Sequence, residues 1–176
     1  MALVAIGVPL GGVPGIRLFQ VDTTPEHPIG LEVTDTNGTI YRYCRIKTAF
    51  TVTAGNLQIL KGMPSAGVTW DVTAESTVGV AGTLLCSWQG DQANGVTSFA
   101  GSASVTKYAW FAIAGNVQLN LAVNAGYGAS KLYTAASGQA TTTAGTIYIV
   151  GANPAGVSGT STGIQWVQTA RSLSTI

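Results

Sequence analysis

Apolar and polar side chains alternate with a period of two along most of this chain. In LEVTDTNGTIYRYCRI, residues 31–46, two alternating runs flank Asn37-Gly38. An Asn-Gly pair readily supplies the positive φ angles of a type I′ turn, so the segment predicts a β-hairpin. On its second strand Tyr41, Tyr43 and Arg45 share one face, while Ile40, Arg42, Cys44 and Ile46 share the other. Large groups on both faces place this strand between the core and a neighbouring layer or subunit.

The same rhythm continues. FTVTAGNLQILKG predicts strands about a turn at Ala54-Gly55-Asn56, and VTWDVTA and STVGVAGTLLCSW predict two more short strands. Residues 89–104, rich in Gly, Ser and Asn, read as a loop. Tyr108 to Ile113 is apolar on both faces, the pattern of a strand buried on both sides, whereas Val117, Leu119, Leu121 and Val123 alternate with Gln118, Asn120, Ala122 and Asn124. Gly115-Asn116 between them reads as a tight hairpin. SKLYTAASGQA predicts a strand running into a Ser137-Gly138 turn, and TIYIVGA and IQWVQTA predict strands on either side of the loop NPAGVSGTSTG. No window of eleven or more residues carries a helical period with caps. The expectation is an all-β fold, a compact β-barrel or β-sandwich with little or no helix.

Composition changes the picture at the N-terminus. The chain has 176 residues, 46% of them hydrophobic, and its 23 glycines follow no triplet period, so one domain with a core of useful size is expected over residues 20–176. Residues 1–19, MALVAIGVPLGGVPGIRLF, differ: Pro9 and Pro14 prevent an independent helix, while Val4, Ile6, Val8, Leu10 and Ile16 carry apolar surface to bury. The segment reads as an extended apolar arm that orders along a partner or an adjacent subunit, by edge-strand addition, with these five residues as candidate contacts. Packing on its own domain is the alternative. A basic leader region is lacking and the run is broken by Pro and Gly, so neither a signal peptide nor a membrane-spanning helix is expected.

Charge is the unusual quantity. Only 9% of residues are Asp, Glu, Lys or Arg and the net charge is +1, against about 25% charged residues in an ordinary soluble domain. Between Gln92 and Ala170 the only charged side chains are Lys107 and Lys131. Such a surface offers no field for nucleic acid or an anionic membrane, so neither is expected as a partner. A neutral surface of hydroxyls and amides tends instead to associate, as subunits of an assembly do.

Candidate chemistry is sparse. His27, the single histidine, sits in TPEHPIG between two prolines. It reads as a solvated turn residue more readily than as half of a Glu26–His27 metal or acid-base site, because adjacent residues on an extended chain point apart. The carboxylates Asp22, Glu26, Glu32, Asp35, Asp71, Glu75 and Asp91 are scattered, and the nucleophile-elbow, phosphate-loop and dinucleotide motifs are absent. No catalytic residue, cofactor or metal site is expected, and the chain reads as a non-enzyme. Cys44 and Cys86 read as two small buried hydrophobes or as a single disulfide. Tyr108, Trp110 and Phe111 are candidate core or interface aromatics. The rival is a sugar platform on Trp88, Trp110 or Trp166.

The order DTNGTIYRYCRIKTAFTVTAGNLQIL, then YAWFAIAGNVQLNLAVNAGYGASKLYTAASGQAT and TIYIVGANPAGV, resembles the capsid decoration, or cement, proteins of tailed-bacteriophage heads. The resemblance runs from about Asp35 to Val157 and consists of a Tyr-x-Trp aromatic strand, an alternating strand and a small-residue stretch. It implies a structural protein assembled in the host cytoplasm and carried on the outer surface of the virion. Such a protein partners the major capsid protein and itself, as a homotrimer, and stabilises the shell across capsomer boundaries without catalytic residues. The N-terminal arm and TPEHPIGLE have no counterpart in that pattern. A head fibre or tail-tube subunit is the alternative virion role, and a carbohydrate-binding adhesin module the alternative outside the virion. A hydrolase with an assembled carboxylate site ranks last.

Overall fold

The computed structural model describes residues 16–61, 70–74, 84–91, 94–125, 132–134, 138–141, 148–153 and 161–175. They are all-β, with thirteen strands and no helix. The first half contains β1 (Val21–Asp22), β2 (Glu32–Thr34), β3 (Ile40–Ile46), β4 (Thr51–Thr53), β5 (Leu57–Lys61), β6 (Asp71–Ala74), β7 (Leu85–Ser87) and β8 (Ser98–Ala100). The second contains β9 (Lys107–Ala125), β10 (Leu132–Thr134), β11 (Ala140–Thr141), β12 (Tyr148–Asn153) and β13 (Ser161–Thr175).

The 19-residue β9 is the spine of the molecule. Its first half pairs antiparallel with β3 from Ile46↔Lys107 to Ile40↔Ala114, and its second half pairs with β13 from Thr169↔Gly115 to Ser161↔Ala125. Because β9 is shared, the pairings close two circuits of five strands each, β9-β7-β5-β6-β3 and β9-β13-β12-β10-β11. The first closes through single bridges at Ser87↔Ala112 and the parallel Arg45↔Asp71, and the second through the parallel Ala140↔Leu121. Closure removes the open edges that a flat sheet would present. β2 pairs with β3, β1 with β9, and β4 with β8 in a separate ribbon.

Two buried clusters lie on opposite faces of the shared strands, as the large groups on both faces of β3 require. Cys44, Ile46, Leu60, Val72, Cys86, Trp88, Ala109, Phe111 and Ile113 converge in one. They come from all five strands of the first circuit or, for Trp88, the residue that follows β7, so this cluster fills its interior. Tyr41, Tyr43, Leu57, Leu85, Trp110 and Ala112 point to the other face, where Val117, Leu119, Leu121, Ala140 and Val167 meet them. On β9 the residues facing this second cluster change from even numbers to odd ones between Ala112 and Val117. The change is absorbed by an irregularity: Tyr41 opposes Ala112 and Ile40 opposes Ala114, so β9 carries one residue more than β3 there. An extra residue of this kind is a β-bulge, which restores the apolar face after a slip in parity.

The hairpin expected at Gly115-Asn116 is therefore replaced by a continuous strand. Gly115 has a φ of 85° and sits against the β2–β3 turn, where a Cβ would overlap the Gly38 carbonyl. Thr39 Oγ1 donates to the Asn116 carbonyl oxygen, and Asn116 Nδ2 donates to the Asn37 carbonyl oxygen at 2.7 Å. These long-range bonds, unreadable from local sequence, carry the strand straight through. The β2–β3 hairpin itself is present, but its turn begins one residue earlier than a type I′ Asn-Gly turn. Gly38 N donates to Asp35 O at 3.1 Å, and the Asp35 carboxylate accepts from both Asn37 N and Thr39 N at 2.8 Å. A carboxylate that caps its own turn in this way outweighs the Asn-Gly preference. The loop expected over residues 89–104 contains β8, which pairs with β4 and sets Phe99 edge-on against Trp88, ring centroids 4.9 Å apart.

Candidate functional site

The aromatic strand and the TPEHPIG turn meet although they lie far apart in sequence. Trp110 and Phe111 are fully buried on opposite faces of β9, one in each cluster, and Tyr108 packs half-buried against the cluster holding Trp110. His27 lies over Trp110 and Tyr43, with ring centroids 5.3 Å from each. It is half-buried, which corrects its reading as a solvated turn residue: the prolines hold the turn, and the imidazole closes over the aromatic pair. Beside it the Tyr43 hydroxyl donates to Asp22 Oδ2 at 2.6 Å and accepts from Glu26 N at 3.2 Å. Burial, and then the bond to Asp22, pushes the Tyr43 phenol far above its usual range. Gln20 Nε2 donates to Asp22 Oδ1 at 2.8 Å and reaches Glu26 at 3.4 Å. A phenol held neutral and hydrogen-bonded to a buried carboxylate is a structural clasp, tying the β1 segment to β3.

The other described acids are engaged as well. Glu32 pairs with Arg42, whose guanidinium lies 3.8 Å over the Trp70 ring, and Asp71 takes Arg45 in a two-pronged contact at 2.6 and 3.1 Å. Asp35 caps the β2–β3 turn, and Asp91 holds the Asn94 amide at 2.6 Å. No group of three or more His, Cys, Asp or Glu among the described residues can hold a metal ion.

Cys44 and Cys86 are free thiols, fully buried in the interior of the first circuit, and burial raises the pKa of both. The disulfide alternative is thereby removed. Trp88 and Trp110 are 0% and 1% exposed, so neither can present a face to a sugar. The Trp166 side chain lies outside what the structure describes. Of the arm contacts, Val4, Ile6, Val8 and Leu10 fall outside the described residues, while Ile16 is buried with Leu18 in the domain's own core. Ile16 is thus no surface contact, and the domain takes in residues that composition alone assigned to the arm.

The link between Asp22 and Tyr43 and the packing of His27 against Trp110 escaped sequence reasoning. The partners are 21 and 83 positions apart, and no local pattern encodes such a meeting. No helix among the described residues is long and apolar enough to cross a membrane. No family model, curated protein or solved structure matches the chain.

Proposed function

We propose that the chain is a structural subunit of a tailed-phage virion, binding the outer surface of the head as a trimer and stabilising the shell across capsomer boundaries. The observation that carries this reading is the engagement of the ionisable groups. Every described carboxylate is bound within the fold, and the single histidine is packed on aromatic rings, so the architecture is braced rather than poised for chemistry. A two-cluster body built on one long strand suits a mechanical role, because load applied to either half passes through hydrogen-bonded backbone. The sequence resemblance to decoration proteins supplies the shell as partner. Many weak contacts repeated by symmetry would then add to one cooperative structure.

The test uses empty shells assembled from the major capsid protein encoded with this chain, heated with and without it while release of an encapsidated dye is followed. The expected result is a higher release temperature in its presence. An unchanged release temperature at saturating protein would overturn the stabilising role.

A further inference from the structure

An asparagine followed by glycine is prone to lose ammonia from its side chain, because no Cβ hinders the glycine amide nitrogen as it approaches the preceding side-chain carbonyl carbon. The chain contains two such pairs, Asn37-Gly38 and Asn94-Gly95. Both lie in exposed turns, both glycines have positive φ, 79° and 71°, and a Cβ at either would meet nothing within 4 Å. Their hydrogen bonds differ. The Asn37–Gly38 peptide is clamped at both ends: Gly38 N donates to Asp35 O at 3.1 Å, and the Asn37 carbonyl oxygen accepts from Asn116 Nδ2 of β9 at 2.7 Å. Asn37 N donates in addition to the Asp35 carboxylate at 2.8 Å. Turning that peptide for ring closure means parting the turn from β9. Asn94 is held from nearby instead, its N and Nδ2 both donating to Asp91, three positions back, in a turn closed by Asp91–Val96 bonds of 2.9 and 2.8 Å. Exposed local bonds of this kind open readily, whereas tertiary bonds open only with the structure they belong to.

We propose that Asn94 is a spontaneous modification site of the folded protein, converting to aspartate and isoaspartate, while β9 protects Asn37 from the same reaction. The Gly95 amide nitrogen gives its proton to solvent and attacks Asn94 Cγ. The new N–Cγ bond expels Nδ2, which takes up a proton and leaves as ammonia, and water then opens the resulting succinimide ring. Cleavage of the N–Cγ bond leaves an ordinary aspartate at position 94. Cleavage at the main-chain carbonyl carbon leaves isoaspartate, with the chain routed through the side chain. The product places a carboxylate where Nδ2 had donated to Asp91 Oδ2 at 2.6 Å, so the bond that ties the turn becomes a meeting of like charges. One added carboxylate takes the formal net charge of this charge-poor chain from +1 to 0. The turn leads through Val96 and Thr97 into β8, so the change falls at the entry to the β4–β8 ribbon. The chemistry holds whether or not the chain decorates a shell.

The test is incubation of the full chain at mildly alkaline pH, with and without urea, followed by peptide mapping in a mass spectrometer. The readout is the fraction of each Asn-Gly peptide that shows the mass gain of an amide exchanged for an acid, with isoaspartate measured on the same peptides. In the folded chain Asn94 should convert at least about tenfold faster than Asn37, the ratio that about 1.4 kcal/mol of protection produces. In urea that ratio should collapse, since both are then bare Asn-Gly pairs. Asn116→Ala, which releases the Asn37 carbonyl, should speed conversion of Asn37 and leave Asn94 unchanged. Asp35→Ala loosens the same turn from its other side and gives a second readout if Asn116→Ala fails to fold. An Asn94 peptide that stays intact in the folded chain while it converts in urea overturns the proposal. So does Asn37 converting as fast as Asn94 in the folded chain, or an Asn37 rate that neither substitution moves.

Discussion

Asp22 and Tyr43 show how single residues hold distant segments of this chain together. The Asp22 carboxylate is 7% exposed and takes the Tyr43 hydroxyl at 2.6 Å. Tyr43→Phe would leave that carboxylate short of a donor, and a loss of about 1–3 kcal/mol in unfolding free energy is expected. Asp22→Asn added to Tyr43→Phe should cost less than Asp22→Asn alone, the signature of a shared interaction in a double-mutant cycle. Strictly additive losses would show that the bond carries nothing. Cys44 and Cys86 make a second residue-scale prediction. Both thiols are fully buried with raised pKa values, so a thiol reagent at about pH 8 should label neither in the native protein and both after unfolding. Rapid labelling of the folded chain would contradict their placement. Sequence made the burial of Cys44 legible through strand parity, with Cys44 between Arg42 and Ile46 on one face. It could not show that Tyr43, on the opposite face, bonds a carboxylate 21 positions earlier.

At the scale of elements, β9 is where local pattern and tertiary structure diverge. Two segments of opposite parity joined by Gly115-Asn116 fit a hairpin and a bulged continuous strand equally well, because each device flips the apolar face. The choice is made by the β2–β3 turn, which bonds Asn116 and leaves no room for a side chain at position 115. Gly115→Ala should therefore be much worse than Gly38→Ala. Both residues have positive φ, 85° and 79°, but a Cβ at Gly38 meets nothing within 4 Å, whereas one at Gly115 would lie 2.8 Å from the Gly38 carbonyl carbon. Thermal melts should show a loss of about 1 kcal/mol at Gly38, the positive-φ penalty alone, and at least twice that at Gly115. Equal losses would argue against close packing of turn on strand. The N-terminal segment behaves as an element too. Deleting residues 1–15 should leave the cooperative melt intact. Extending the deletion through Leu18 removes two buried core side chains and should cost several kcal/mol, at about 2–5 kcal/mol for each large aliphatic truncation. The composition boundary was legible in Pro9 and Pro14. That Ile16 turns inward was not, because an apolar residue after Gly15 reads alike whether it meets its own core or a partner.

Taken whole, the molecule is a charge-poor β-structure that buries two phenols and two thiols in their neutral forms. Tyr41, Tyr43, Cys44 and Cys86 all have pKa values raised by burial. Above about pH 9 these groups ionise in the unfolded chain first, so the unfolded state binds fewer protons than the native one and stability falls as pH rises. Unfolding free energy should thus hold nearly level from about pH 6 to 8 and decline beyond about pH 9. Stability that increased between pH 9 and 11 would contradict the burial of these groups. The all-β class was legible because alternation recurs in segment after segment. Closure into two five-strand circuits was not, since it rests on single bridges such as Ser87↔Ala112 and Ala140↔Leu121 that no periodicity announces. The proposed structural role in a virion is tested most directly by sedimenting empty shells of the major capsid protein proposed as its partner with increasing amounts of the purified chain and measuring the bound ratio. Saturation at a fixed ratio of this chain to capsid protein is the expected result. Protein that stays in the supernatant at every concentration, or pellets without saturating, would contradict it.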